Sequence, residues 1–306
     1  MPVYNAESFL KSSIESILGQ TLSNFEFLIA DDGSTDQSNN IIQYYAKKDS
    51  RIVHLKHEKN KGVVVTRNLL LDHAKGDYIA FNDADDSSDS KRLETQLSHL
   101  LDQDLDLVGA FATVVSENEK TLGVLSFPDN HDHMLLYLTH SYPFPNGTVF
   151  VKKHVVKNLR FENIEVEDYH FIFQLVSKSR IKLGNVPEFL YKYREHSENV
   201  SKKAPVDRII SKYAVGYAFI IKNFKNIQNV CQLILDSESN LNNVEKVSLL
   251  RATFYIGIAI GEWKYFFIAF YKFRTVKGVY SVFCHAKNYF KYRKEIQVLS
   301  KTLLKI

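Results

Sequence analysis

Apolar runs that read as strands alternate with helix-period segments through the first eighty or so residues, and no other feature restricts the fold as strongly. Residues 6–20 place Phe9, Leu10, Ile14, Ile17 and Leu18 at helical spacing, and FEFLIA at 25–30 then reads as a buried strand. A DDGSTD turn with helix-capping residues leads into a helix over 41–46. RIVHLKH at 51–57, a helix over 63–73 and DYIAF at 77–81 continue the rhythm. Strands alternating with helices at this pitch predict an α/β fold with a parallel sheet. Beyond residue 88 the rhythm loosens. LDLVGAFATVV at 105–115 and NGTVFVKK at 146–153 read as further strands, 164–179 as an acid-led helix, and the Gly- and Pro-poor stretch after 201 as a helical C-terminal region.

Both N-terminal strand runs end in acids. Asp31-Asp32 follow FEFLIA, and Asp83, Asp85, Asp86 and Asp89 follow DYIAF. Ligands of open parallel sheets sit beyond the carboxyl ends of the strands, so both clusters are expected on one edge. Crowded carboxylates repel one another, a cost that a divalent cation removes. Mg²⁺ and Mn²⁺ take oxygen ligands and bridge a few carboxylates to phosphates. A metal and a phosphorylated ligand are therefore predicted at this edge. Part of the DADDSSD run also suits the cap of a helix starting near Lys91.

Composition excludes other classes. With 45% hydrophobic and 24% charged residues in 306, the chain has material for a proper core and is not a disordered sequence. Cys231 and Cys284 have no CxxC spacing, so neither a disulfide framework nor a thiolate zinc site is indicated, and a reducing compartment fits. No basic-then-apolar leader opens the chain and no window of about 18 residues is free of charge, so a cytoplasmic location is expected. The net charge of +4 is uneven. Residues 263–306 hold ten Lys or Arg and one Glu, which is +9, leaving 4 − 9 = −5 for residues 1–262.

MPVYNAESFLKSSIESILGQT, FEFLIADDGSTDQS and NKGVVVTRNLLLDHAKGDYIAFNDADD occur in an order that resembles the family 2 inverting glycosyltransferases of bacterial polysaccharide synthesis. The resemblance covers about residues 1–200. It implies the GT-A fold, a Rossmann-like mixed sheet flanked by helices, as a catalytic domain over 1–200, with a helical region over 201–306 that faces the acceptor or a membrane. It places Pro2, Tyr4, Glu7 and Asp32 around the base and ribose of a nucleotide. Gly62, Arg67 and Asn68 would line the nucleotide side, where a guanidinium suits a diphosphate. DADD matches the D-x-D motif, which puts Asp83 and Ala84 at the sugar or ribose and makes Asp85 a ligand of Mn²⁺ or Mg²⁺.

Two downstream signatures also match: Glu167-Asp168, and Tyr193, Arg194, His196, Asn199 and Ser201. Inverting transfer needs a general base for the acceptor hydroxyl, and Asp168 is the candidate. His196 is expected near the metal or the diphosphate. The implied donor is a UDP-sugar and the implied acceptor a saccharide or lipid-linked saccharide.

The chain departs from the family pattern in two places. The pattern has an apolar strand immediately before PVYN, and its lack here leads to the expectation that the natural chain extends upstream of Met1. VVVTRN is bulkier than the small-residue run expected before Arg-Asn. Other readings stay open at this level. FNDADDS also fits the DxDx(T/V) motif of haloacid-dehalogenase phosphohydrolases with Asp83 as nucleophile, and a nucleotide-sugar-binding protein without catalysis is a further alternative. The basic, aromatic C-terminal segment, with Trp263, Phe266, Phe267 and Phe270, suits the inner face of an anionic membrane, where a peripheral helix is expected. No nucleic-acid-binding module accompanies it.

Overall fold

The computed structural model describes residues 1–178, 181–197, 199, 206–236, 243–261, 263–273 and 289–304. Cys284 and Ser201 lie outside these residues, as does much of the basic C-terminal segment. The chain divides into two compact units. One comprises 1–126, 144–163 and 181–199, and the other 127–143, 164–180 and 200–306.

The first unit begins with β1 (Pro2–Val3), α1 (Glu7–Leu18), β2 (Phe27–Asp31), α2 (Ser38–Ala46), β3 (Ile52–Lys56) and α3 (Val63–His73). β1, β2 and β3 form a parallel three-stranded sheet in that order. Leu10, Ile14 and Ile17 of α1 repeat at helical spacing and are buried with Val3, Phe27 and Ile29, the apolar stripe the sequence predicts. Gly62 precedes α3 with φ of 90°, a backbone conformation that suits glycine.

β4 (Tyr78–Ala80), β5 (Ser87–Ser88), α4 (Arg92–Asp102), β6 (Leu107–Ser116), β7 (Thr121–Leu125), β8 (Phe150–Lys152), the short α6 (Lys153–Val156) and β9 (Leu183–Glu195) complete this unit. Their sheet has the order β4-β8-β6-β9-β5, with β7 also on β6. Only β6 and β9 run parallel, and the other pairs are antiparallel. The parallel prediction thus holds for the first three strands, and the second sheet is mixed.

β9 is not evident in the sequence because Pro187 and Glu188 interrupt it. The register moves from Ala110 opposite Val186 to Phe111 opposite Phe189, so the proline falls in a bulge where no ladder donor is required. β4 ends its sheet and β1 ends the other. A cavity of about 630 Å³ has Phe27 and Leu28 of β2 and Tyr78 and Ile79 of β4 in its lining.

The second unit is helical: α5 (His131–Tyr137), α7 (Glu167–Lys178), α8 (Val206–Asp236), α9 (Asn243–Ile260), α10 (Lys264–Phe273) and α11 (Arg293–Leu303). α8 is in contact with α5, α7, α9, α10 and α11. It bends at Asn223, whose side chain donates to Phe219 O and Ser177 Oγ, both at 3.1 Å. Gly216 allows α8 to approach residue 139 closely, since a Cβ there would lie 2.5 Å from Thr139 O. Phe171, Phe173 and Phe219 fill the interior. No helix among the described residues is long and apolar enough to cross a membrane.

Candidate active site

The loop after β2 is closed by its own acids. Asp31 Oδ1 accepts Ser34 N–H at 3.0 Å. Asp32 accepts the main-chain N–H groups of Lys61 and Gly62, each at 2.9 Å and one on each oxygen. Glu7 Oε2 accepts Gln37 N–H at 2.8 Å, while Glu7 N–H donates to Asp36 at 3.0 Å. Asn5 accepts Thr35 N–H at 2.8 Å. Asp32 and Glu7 therefore shape the loops on which Pro2, Tyr4 and Gly62 sit. Tyr4 itself is 49% exposed, so its ring is available for stacking and is not part of the core.

The acids after β4 are arranged differently. Asp85 Oδ2 lies 3.0 Å from His196 Nε2, and the His196 ring is 5.0 Å from the Phe9 ring. Asp83 faces Arg67 at 3.8 Å, and the Arg67 guanidinium rests over Phe161 at 5.4 Å. Ala84 between the two acids is buried with Met1, Val3 and Leu10. Asp86 points inward, where Oδ1 accepts Arg194 N–H at 2.7 Å. Burial, followed by the charges of Asp85 and Asp83, pushes the Asp86 carboxyl well above the ordinary carboxylate range. Negative potential is therefore concentrated at this strand end.

Three residues hold this cluster from below, and sequence reasoning passed over them in this role. Tyr191 on β9 is buried, and its hydroxyl accepts Asp83 N–H at 3.2 Å. Arg92 is fully buried; it donates to Gly147 O at 3.0 Å and Phe81 O at 3.2 Å, and burial lowers its pKa to about 10. Arg194 donates through Nε to Asp85 O at 3.0 Å and stacks over Phe9 at 5.1 Å. The signal for Tyr191 lies in the alternation of FLYKYRE, which is legible once β9 is recognised as a strand.

The first unit thus brings together Asp83, Asp85, Arg67 and His196, from the end of β4, from α3 and from the residue after β9. Asp85 and His196 present one carboxylate oxygen and one imidazole nitrogen at a mutual distance that one divalent cation can satisfy. The charges of Asp85 and Asp83, which add to the effect of burial on Asp86, are the charges such a cation would offset. Among the described residues no group of three or more His, Cys, Asp or Glu forms a closed metal cage, so a cation here would take further oxygens from its ligand. Asp168 belongs to the second unit, in the first turn of α7, where its carboxylate accepts Tyr169 N–H at 2.7 Å.

The family model described as Glycosyl transferase family 2 matches residues 1–160, more than half of the chain. The chain belongs to this family. The family 2 chain is 34% identical over 200 residues to an Escherichia coli UDP-Glc:alpha-D-GlcNAc-diphosphoundecaprenol beta-1,3-glucosyltransferase, WfaP, an alignment covering 65% of this chain and 76% of the relative. Its fold is shared with Staphylococcus aureus TarS 1-349 in complex with UDP-GlcNAc, at a TM-score of 0.58 and 15% identity over 89% of this chain and 90% of that one. It is shared also with the Pyrobaculum calidifontis mannosyltransferase PcManGT in complex with GDP-Man and Mn²⁺, at a TM-score of 0.55 and 14% identity over 90% and 86%. The fold is therefore GT-A and the protein is a glycosyltransferase, which removes the phosphohydrolase reading of FNDADDS.

Proposed function

We propose that this glycosyltransferase moves a sugar, with inversion, from a UDP-sugar to a lipid-linked saccharide in cell-surface polysaccharide synthesis. The observation that carries the reading is the convergence of Asp83, Asp85, His196 and Arg67 at one strand end. WfaP, whose name specifies a UDP-Glc donor and a diphosphoundecaprenol-linked acceptor, supports this choice of substrates.

In this reading Tyr4 stacks on the base, and Pro2 and the Gly62 loop, tied by Glu7 and Asp32, surround the ribose. Asp83 and the main chain of Ala84 face the sugar or ribose, and Arg67 faces the diphosphate. Asp85 and His196 are assigned as the protein ligands of Mn²⁺ or Mg²⁺, which when bound supplies charge neutralisation to the departing diphosphate. Asp168 takes the proton of the acceptor hydroxyl as its oxygen bonds to the anomeric carbon and the bond from that carbon to the diphosphate oxygen breaks. Asp168→Asn should cut transfer by about 10² to 10⁴ and leave UDP affinity within about twofold. Transfer at the parental rate would move the base assignment to Glu167.

A panel of nucleotide sugars, assayed for hydrolysis with and without Mn²⁺, identifies the donor, and turnover of none of them would count against the reading. The exposed Phe267, Ile268 and Phe290 and the +9 charge of residues 263–306 support peripheral contact with an anionic membrane surface. Flotation with anionic but not neutral vesicles at low salt is the expected result. Equal flotation with both would remove the electrostatic part.

A further inference from the structure

The turn between β6 and β7 reaches the strand-end acids of the first unit through one cation. Arg194 on β9 has a side chain only 3% exposed, and every nitrogen of its guanidinium has a partner. Nε donates to Asp85 O at 3.0 Å, and one terminal nitrogen donates to Ser116 O at 3.3 Å and Glu117 O at 3.2 Å. The other terminal nitrogen donates to the Glu119 carboxylate. The main chain of Arg194 is held as well. Its N–H donates to Asp86, its carbonyl accepts Asn199 Nδ2 at 3.0 Å, and Asn199 Oδ1 accepts His196 N–H at 2.5 Å. Arg194 is thus tied to the main chain of Asp85 on one side and to the loop of His196 on the other.

A buried guanidinium at this place has an electrostatic consequence. It lies against Asp85, whose carboxylate faces His196, so an unpaired charge there would repel a divalent cation held by the two. Asp85 meets the guanidinium through a carbonyl, and Asp86 meets the main chain of Arg194. The carboxylate that pairs with the guanidinium is Glu119. The turn presents it at a cost, since Glu119 has φ of 59°, a left-handed conformation unfavourable to a residue with a side chain. Ser116 closes the turn, its N–H donating to Lys120 O at 2.8 Å and its carbonyl accepting Glu119 N–H at 3.0 Å. Lys192 approaches Glu119 from the exposed side, at 3.2 Å. Burial acts to raise the Glu119 carboxyl, but the hydrogen bonds of Arg194 and Lys192 outweigh it and hold its pKa below the ordinary value.

We infer that Glu119 is a positioning residue of the strand-end site: acting through Arg194, it holds Asp85 and His196 in place and offsets the positive charge beside the cation they would share. The inference deepens the metal part of the proposed function and rests on Asp85 and His196 being the protein ligands.

The test is calorimetric titration of UDP into the full chain, with Mn²⁺ and with a chelator, for the parent, Glu119→Gln, Glu119→Gly and Lys192→Gln. Glu119→Gln removes the charge and keeps the size. Glu119→Gly removes the side chain from a backbone conformation that glycine adopts freely, so the turn itself is kept. Both should reduce the gain in UDP affinity given by Mn²⁺ about five- to tenfold, and leave affinity in chelator within about twofold of the parent. Lys192→Gln takes away the exposed partner of Glu119 and should leave both affinities at parental strength.

A residue that merely shaped the turn would lower the melting temperature in Glu119→Gln and leave the Mn²⁺ gain untouched. A parental Mn²⁺ gain in both Glu119 variants, whatever their melting temperatures, would overturn the inference. So would an equal loss of that gain in Lys192→Gln. A parent whose UDP affinity ignores Mn²⁺ would instead overturn the ligand assignment itself, and the inference with it.

Discussion

Two strand ends in the first unit carry adjacent acids, and the structure uses them in opposite ways. After β2, Asp32 has a main-chain N–H on each oxygen and Asp31 ties Ser34, so these acids build a loop. After β4, Asp83 and Asp85 face Arg67 and His196, side chains from α3 and from beyond β9, and it is the inward Asp86 that caps main chain. A carboxylate ringed by backbone amides is fixed and already neutralised in part. A carboxylate opposite a guanidinium or an imidazole keeps oxygens that a ligand can share. Acid residues at strand ends are therefore not equivalent, and their partners separate scaffold from chemistry.

The largest effect expected from breaking this contrast is on turnover. Asp85→Asn should lower transfer by about 10² or more while its melting temperature stays near that of the parent, because the lost charge acts on a ligand and not on the fold. Asp32→Ala should do the reverse in kind. It strips the acceptor from two N–H groups, costs about 2–3 kcal/mol of stability, and should be visible as a lower denaturation midpoint.

A smaller effect sharpens the contrast within the second cluster. Asp86 has its carboxyl pKa raised by burial and by Asp85 and Asp83, so the folded state favours its protonated form. The stability this contributes is present below the ordinary value of 3.8 and is lost as pH rises through the folded value. Asp86→Asn should therefore raise the denaturation midpoint of the metal-free protein at pH 7, with the advantage vanishing as pH falls toward 3.8. An advantage that persists below that pH would mean that packing, and not charge, sets the difference.

Much of this was legible from residues alone, for physical reasons. The helix read near 63–73 coincides with α3. Asp83, Asp85 and His196 were singled out through the motifs that resemble family 2, and the structure pairs Asp83 with Arg67 and Asp85 with His196. The mixed character of the sheet was legible only through the family resemblance, since antiparallel returns such as β8 onto β4 are set by tertiary pairing and not by local spacing. The division of labour between Asp32 and Asp85 was not legible, because the partners of Asp32 are main-chain N–H groups about thirty residues away, and every residue but proline supplies one. Arg92 reads as an ordinary helix-surface cation, and only burial shows it beneath the acidic cluster.

The central claim is that the strand end of Asp83 and Asp85, and not that of Asp31 and Asp32, holds a cation-bound diphosphate. Calorimetric titration of UDP into the parent, Asp85→Asn and Asp32→Asn, each with Mn²⁺ and with a chelator, tests it most directly. The parent should bind UDP more tightly with Mn²⁺ than without. Asp32→Asn should keep that Mn²⁺ dependence, and Asp85→Asn should lose it. Mn²⁺-dependent binding of parental strength by Asp85→Asn, with the dependence lost in Asp32→Asn, would contradict the account.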